Sequence, residues 1–129
     1  LDEGLYYYSG IKNELTRLSC PISLVKQMLF DAAYGMNQSD SPPQCLIILS
    51  SRLPRLAWKY ETIAYRLTLL NAGVAIQSMY LVANEMRLAC SAIGTGDSLL
   101  FEKATGIDPF CETSIAEFGI GSRKDNKEK

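Results

Sequence analysis

The strongest constraint on this chain is a long segment without any charged residue, from Leu67 to Asn84. Its apolar side chains recur at helical spacing and cover almost the whole circumference, so we predict a long helix from about Glu61 to Leu88. A helix that is apolar on nearly all sides must be covered on nearly all sides, and a chain of 129 residues has too little material to do so alone. We therefore expect a partner subunit, most simply a second copy of the chain in a homodimer.

The same segment reaches the length at which a helix can cross a membrane. Polar residues interrupt it, however, at Thr68, Asn71 and Gln77. Charged residues also stand directly at its ends, with Arg66 before it and Glu85 after it. We interpret the helix as buried in a protein core or subunit interface and expect no membrane association.

The composition fits one globular domain and argues against several classes of function. Hydrophobic residues make up 47% of the chain, the net charge is −1 and the basic residues are scattered, so no nucleic-acid partner is expected. Histidine is absent, and the cysteines are too far apart for a usual zinc site or a disulfide scaffold. We predict no metal site, buried free cysteines and a reducing, cytoplasmic location. The cysteines are Cys20, Cys45, Cys90 and Cys111.

Shorter patterns on both sides of the long helix predict an α+β fold. Helices are expected from Pro21 to about Ala33 and from about Asp97 to Ala104, which Gly106 ends. Aromatic or apolar runs of strand length predict strands at Gly4–Ser9, Cys45–Ser50, Ala89–Ile93 and Glu112–Gly121, of which Cys45–Ser50 reads as buried on both faces. We assign residues 1–121 to one domain and 122–129 to a charged, flexible tail.

Six short segments, taken in their order and spacing, resemble the azoline dehydrogenase or oxidase branch of the nitroreductase-like flavoproteins. The resemblance is carried by Gly4–Tyr8, Trp58–Arg66, Leu69–Gly73, Gly94–Asp97, Thr105–Asp108 and Glu112–Phe118. It implies a nitroreductase-like sheet with a long central helix. It also implies oxidation of thiazoline or oxazoline rings in a heterocyclised peptide substrate, as in cyanobactin and related pathways.

The resemblance assigns catalysis to an adjacent pair, Lys59 and Tyr60. Azoline oxidation removes a proton from carbon, so a base must lie within hydrogen-bond reach of the ring. A lysine next to apolar Trp58 and Ile63 can be desolvated enough to release its proton near neutral pH, and Tyr60 can orient it or relay the proton. The residues alone also permit Lys59 as an exposed solubilising side chain and Tyr60 as an edge of the core.

FMN is the cofactor that the resemblance implies. Gly94, Thr95 and Gly96 form a turn between a strand and a helix, in the region that approaches the flavin ring in this family, and glycine permits such close approach. Arg123 follows the last strand, where family members often bring a basic residue to the flavin phosphate. These residues are equally compatible with an ordinary glycine-rich turn and a solvated arginine.

Complete subunits of the family also carry an N-terminal helical segment whose arginines grip the FMN phosphate. The residues before Gly4 do not contain it, so we expect the fold to be incomplete without a partner segment, supplied by a second chain or a longer precursor. Two alternatives remain open from the sequence. The chain can be a flavin-less structural or interaction module that keeps the long-helix dimer surface, or a generic nitroreductase.

Overall fold

The computed structural model describes residues 1–37 and 40–123, so the predicted tail lies outside the described residues except for its first two positions. The observed elements confirm the predicted α+β class. In chain order they are β1 (Tyr6–Ser9), β2 (Glu14–Arg17), α1 (Ile22–Gly35), β3 (Cys45–Ser51), α2 (Leu53–Tyr60), a 3-10 turn (Glu61–Ile63), α3 (Ala64–Glu85), β4 (Leu88–Ile93), α4 (Ser98–Thr105) and β5 (Thr113–Ser122).

A three-stranded antiparallel sheet in the order β3-β5-β4 forms the middle layer. Because successive residues of a strand point to opposite faces, Leu46 and Ile48 face α1 and α4, whereas Ile47 faces α3. Met28 of α1 and Leu100 of α4 form the core on the first face. The chain therefore builds a layered fold with α1 and α4 on one side of the sheet and α3 on the other.

Tyr80 fastens the C-terminal half of α3 to the sheet. Its ring packs edge-on against the fully buried Phe118 of β5, with the ring centroids 4.9 Å apart. Its hydroxyl accepts a hydrogen bond from the backbone N–H of Ala92 in β4 at 2.7 Å. Such a polar tip on a half-buried aromatic ring fixes both the position and the rotation of the helix.

The predicted helix from Glu61 to Leu88 is α3, which begins three residues later and ends three residues earlier than expected, and a separate helix, α2, precedes it. α2 ends at Tyr60, and Glu61 has a φ of 46°, a conformation that residues other than glycine rarely adopt. At the other end α3 stops at Glu85, and Arg87, with a φ of 56°, turns the chain into β4. Both turns use residues without any glycine or proline signal, so local sequence preference does not reveal them.

Most of α3 is not covered by its own chain. The helix buries Ala64, Thr68, Ala72 and Ala83, while its opposite face exposes large apolar side chains. By length and composition alone the stretch Leu53–Glu85 could cross a membrane, and 17% of its most apolar window is buried. The exposed α3 face, as we call it, consists of Leu70, Val74 and Leu81, which share one side of the helix at spacings of four and seven residues.

Several local expectations are wrong. The N-terminal segment forms a hairpin, in which β2 was not expected, and Asn13, with a φ of 52°, lies in its turn. Pro21 is the N-terminal cap of α1 itself and not its first helical residue. β3 is half-buried instead of buried on both faces. The cysteines are free but not buried, since Cys45 and Cys111 are exposed.

Candidate functional site

α2 carries both candidate catalytic residues in its last turn. Pro54 in the first turn suits a helix start, because its fixed φ is helical and it has no N–H to leave unpaired. Within this chain α2 has no buried residue and borders an open pocket of about 420 Å³, here called the α2 pocket. The α2 pocket is lined by Arg52, Arg55, Leu56, Trp58, Lys59 and Tyr60.

Lys59 and Tyr60 stand side by side at this pocket. The Nζ atom of Lys59 lies 5.2 Å from the centre of the Tyr60 ring, within the range of a cation–π contact. The expected apolar cover of the amine is missing in this chain, because Trp58 is 88% exposed and Ile63 is also exposed. The pair is therefore in contact and accessible, and any desolvation of Lys59 has to come from a substrate or a partner surface.

A polar network at the start of α2 joins three elements. Arg52, directly before α2, donates from Nε to Glu112 Oε2 at 2.6 Å, and Ser50 of β3 donates from its hydroxyl to Glu112 Oε1. Partial burial on its own raises the pKa of Glu112, but the hydrogen bonds from Arg52 and Ser50 and the charge of Arg52 together lower that pKa below its ordinary value. Glu112 is thus held ionised. Sequence reasoning missed this network, since its partners lie about sixty residues apart.

The turn of Gly94, Thr95 and Gly96 is exposed and joins β4 to α4, as expected from the sequence. The surroundings of the two glycines differ. A Cβ atom on Gly94 would meet nothing within 4 Å, so open space adjoins the backbone there. A Cβ atom on Gly96 would lie 2.7 Å from Glu117 Oε1, so this glycine is needed for packing within the chain. Asp97 then caps α4 by accepting from two backbone N–H groups.

Glu117, in the middle strand, is a buried carboxyl that sequence reasoning did not single out. Only 6% of the residue is exposed. Burial is the main cause that raises the pKa of Glu117, and the nearby carboxylates of Asp31 and Asp97 raise it further. The only signal of this burial in the sequence is an acidic residue within an otherwise largely apolar strand. The Gly94–Gly96 turn therefore has acidic neighbours.

Arg123 does not lie near that turn. β4 and β5 are antiparallel, with Leu88 opposite Ser122 and Ile93 opposite Glu117. Arg123 follows Ser122 at one end of this ladder and Gly94 follows Ile93 at the other, so seven residue steps separate them along the sheet, about 24 Å at about 3.4 Å per residue. The structure brings together Gly94, Thr95 and Gly96 but places Arg123 at the opposite end of the sheet.

The end of the sheet that carries the turn also carries the start of α2. Ser51, the last residue of β3, is paired with Thr113 at the start of β5. The α2 pocket and the Gly94–Gly96 turn thus lie at the same end of the sheet, although the turn does not line the pocket. Among residues 1–37 and 40–123, no group of three or more His, Cys, Asp or Glu side chains could hold a metal ion.

Replacing Glu117 with glutamine is expected to stabilise the fold at neutral pH. Because the folded-state pKa is raised, the folded chain binds this proton more tightly than the unfolded chain, so stability increases as the pH falls through the folded-state pKa. The glutamine removes the charge and should add on the order of 1 kcal/mol, since a buried unpaired charge costs more than a buried neutral group. Urea unfolding at neutral and mildly acidic pH measures this gain. It should shrink at the lower pH, and exposed Glu85→Gln should show no such gain. A less stable Glu117→Gln variant at neutral pH contradicts the expectation.

Comparisons with known proteins agree with this architecture. A chain of the E. coli microcin synthetase complex McbBCD, solved with truncated pro-MccB17 bound, matches with a TM-score of 0.77 and 18% identity over 93% of this chain. A protein assigned as a nitroreductase from Anabaena variabilis matches with a TM-score of 0.76 and 25% identity, also over 93% of this chain. The chain spans 44% and 24% of these two proteins. No curated protein sequence matches it.

The sequence itself matches a family model over most of its length. The model describes the nitroreductase family and covers residues 23–122, which includes α1 from its second residue, the whole three-stranded sheet and α2 to α4. Lys59, Tyr60 and the Gly94–Gly96 turn lie within this match, and Arg123 lies one residue beyond it. The chain belongs to the nitroreductase family.

Proposed function

We propose that the enzyme that includes this chain oxidises azoline rings of a heterocyclised peptide to azoles, with FMN as cofactor. The observation that carries the proposal is the placement of Lys59 beside Tyr60 at the open α2 pocket. Acid–base catalysis needs a base with room for the substrate next to it, and the pocket supplies this room. The fold shared with a chain of a peptide-bound microcin synthetase complex supports the choice of substrate class.

The residues around the Gly94–Gly96 turn fit one part of FMN and not the other. The open space next to Gly94 allows the uncharged flavin ring to approach the backbone closely. The phosphate does not fit here, because Asp97 directly follows the turn and the Glu117 carboxyl lies against Gly96, with Asp31 close to Glu117. We therefore propose that the phosphate is bound by residues outside this chain. Arg123 lies at the other end of the sheet from the turn, so it can contact a phosphate only there.

Each residue of the pair has a defined part in the proposed reaction. Lys59, as a neutral amine, accepts the proton from the azoline ring carbon, and Tyr60 orients that amine or relays the proton to solvent. FMN, when bound, supplies the hydride acceptor, with oxygen as the expected final oxidant. Because both side chains are accessible in this chain, the bound peptide or a partner surface has to exclude water from the pair.

Two partners are proposed besides the peptide. The exposed α3 face is too apolar and too continuous to remain in water, and a second copy of the chain can cover it in a homodimer. The remaining part of the fold, which the longer matched proteins possess, is proposed to come from a further segment or a second chain. The free thiols of Cys45 and Cys111 are exposed, which suits a reducing, cytoplasmic compartment.

The isolated chain is expected to bind riboflavin and FMN with similar, weak affinity. The acidic surroundings of the Gly94–Gly96 turn give the phosphate no favourable contact, so its presence should change the dissociation constant by less than about tenfold. Flavin fluorescence titration with both ligands measures this ratio. Tight binding of FMN but not riboflavin would show that this chain grips the phosphate, and would contradict the division of the site proposed here.

The test of the function uses the chain together with the polypeptide that completes the fold. The purified enzyme should show the absorbance of oxidised flavin and should remove two hydrogen atoms per azoline ring, measured by mass spectrometry of the peptide. A flavin-loaded enzyme that reduces quinones or nitro compounds and leaves azoline peptides unchanged would favour a generic nitroreductase. A complete, folded protein that binds no flavin would favour the structural module.

A further inference from the structure

α2 is weakly held within the chain. The helix has no buried residue and packs chiefly against α3, and no side chain caps its N-terminus. At its C-terminal end it meets the residue Glu61, whose φ of 46° and ψ of −126° break the path into α3. A non-glycine residue in this conformation stores strain and persists only where neighbouring structure enforces it. Something other than core packing must therefore fix the direction of α2.

The N-terminal end of α2 has the one strong tie that we find within residues 1–37 and 40–123. Glu112, with a side chain 14% exposed, receives Arg52 Nε at 2.6 Å and the hydroxyl of Ser50. Ser50 belongs to β3, Arg52 directly precedes α2, and Glu112 directly precedes β5. Both carboxylate oxygens are thus engaged, one from the sheet and one from the helix start, which fixes the geometry more firmly than an isolated surface ion pair.

We propose that Glu112 is a positioning residue that holds α2 against the end of the sheet. Through Arg52 it sets the direction in which α2 leaves the sheet, and thereby the place of the α2 pocket and of the last turn. The consequence for Lys59 and Tyr60 rests on the function proposed above, whereas the mechanical role of Glu112 does not. Glu112 itself does not line the α2 pocket.

The chain contains a single tryptophan, Trp58, and it lies in α2, so its fluorescence reports the motion of this helix directly. Time-resolved anisotropy of Trp58 in Glu112→Gln should show a fast local component roughly twofold larger than in the parent chain, since nanosecond motion of a loosened segment depolarises emission. Ser50→Ala, which keeps the ion pair, should show a smaller increase. Glu14→Gln, which removes an exposed carboxylate from the hairpin ion pair with Lys12, should show none.

The outcomes decide between a positioning role and none. Unchanged Trp58 anisotropy in a folded Glu112→Gln chain overturns the proposal. If Glu112→Gln does not fold, Arg52→Gln decides in its place, because it removes the exposed partner of the same ion pair, and an unchanged Trp58 anisotropy decay there overturns the proposal equally. In the completed enzyme, Glu112→Gln should lower kcat by roughly 10- to 100-fold with KM little changed, because a misplaced catalytic group loses rate before it loses substrate. A larger fast component of the Trp58 anisotropy decay in Glu112→Gln, together with unimpaired turnover by Lys59→Ala, would contradict the proposed function and leave the role of Glu112 in place.

Discussion

Replacing Lys59 with alanine is expected to reduce azoline oxidation by the completed enzyme on the order of 10²–10⁴-fold, the usual contribution of a general acid–base group. Flavin content and assembly should not change, because Lys59 is exposed and the Gly94–Gly96 turn does not line its pocket. Lys59→Arg should be nearly as impaired, since a guanidinium does not release its proton near neutral pH. Peptide turnover followed by mass spectrometry gives the rates.

The chain offers a closely matched control for this experiment. Lys103 occupies the last turn of α4, a helix of the same length as α2, and its replacement by alanine should leave turnover unchanged. Tyr60→Phe separates the hydroxyl from the ring, which still packs beside Lys59. If Lys59→Ala and Tyr60→Phe both oxidise the peptide at the parent rate, the pair is part of the scaffold and the proposed chemistry is wrong.

Replacing Leu81 with arginine is expected to dissociate the proposed homodimer. Leu81 lies on the exposed α3 face, where the second copy would bury it, and an unpaired buried charge is strongly destabilising. With one such charge from each copy, the dissociation constant should rise by at least about 10²-fold, which corresponds to about 3 kcal/mol. Analytical ultracentrifugation over a concentration series measures the constant for the parent and the variant.

Leu99 provides the matched control, because it is exposed by 65% against 64% for Leu81 but lies on α4. Leu99→Arg should leave the dissociation constant unchanged. Equal dissociation by both variants would point to a general effect of added charge. A parent chain that is a folded monomer at micromolar concentration would contradict the homodimer. The exposed α3 face would then have to be covered by a partner other than a second copy of the chain.

Much of the fold could be predicted from the sequence because the signals were local. Apolar runs gave β3, β4 and β5 nearly to the residue, and the Asp97 cap and Gly106, with its φ of 69°, fixed both ends of α4. The errors at the helix ends have a common cause. Glu61 and Arg87 adopt positive φ values that their residue types disfavour, so surrounding structure and not local preference set the ends of α2 and α3.

The residues of the candidate site also differ in whether the sequence alone could reveal them. A motif of adjacent residues, such as Lys59–Tyr60 or Gly94–Gly96, is visible in the sequence because its members share one turn or helix end. The link from Arg52 to Glu112 spans sixty positions and forms only when β3 and β5 pair, so no spacing rule reveals it. The separation of Arg123 from Gly94 likewise follows from the antiparallel register of β4 and β5.

By itself, the sequence determined the periodic elements, the excess of apolar surface on α3 and the residue types available for chemistry, since these depend on the order of neighbouring side chains. Only the tertiary structure decided which of these groups meet. It exposed Trp58 and Lys59, buried Glu117 beneath Gly96 and joined Ser50, Arg52 and Glu112. The physical reason is that burial and charge pairing depend on contacts between distant segments, which sheet register and helix packing create.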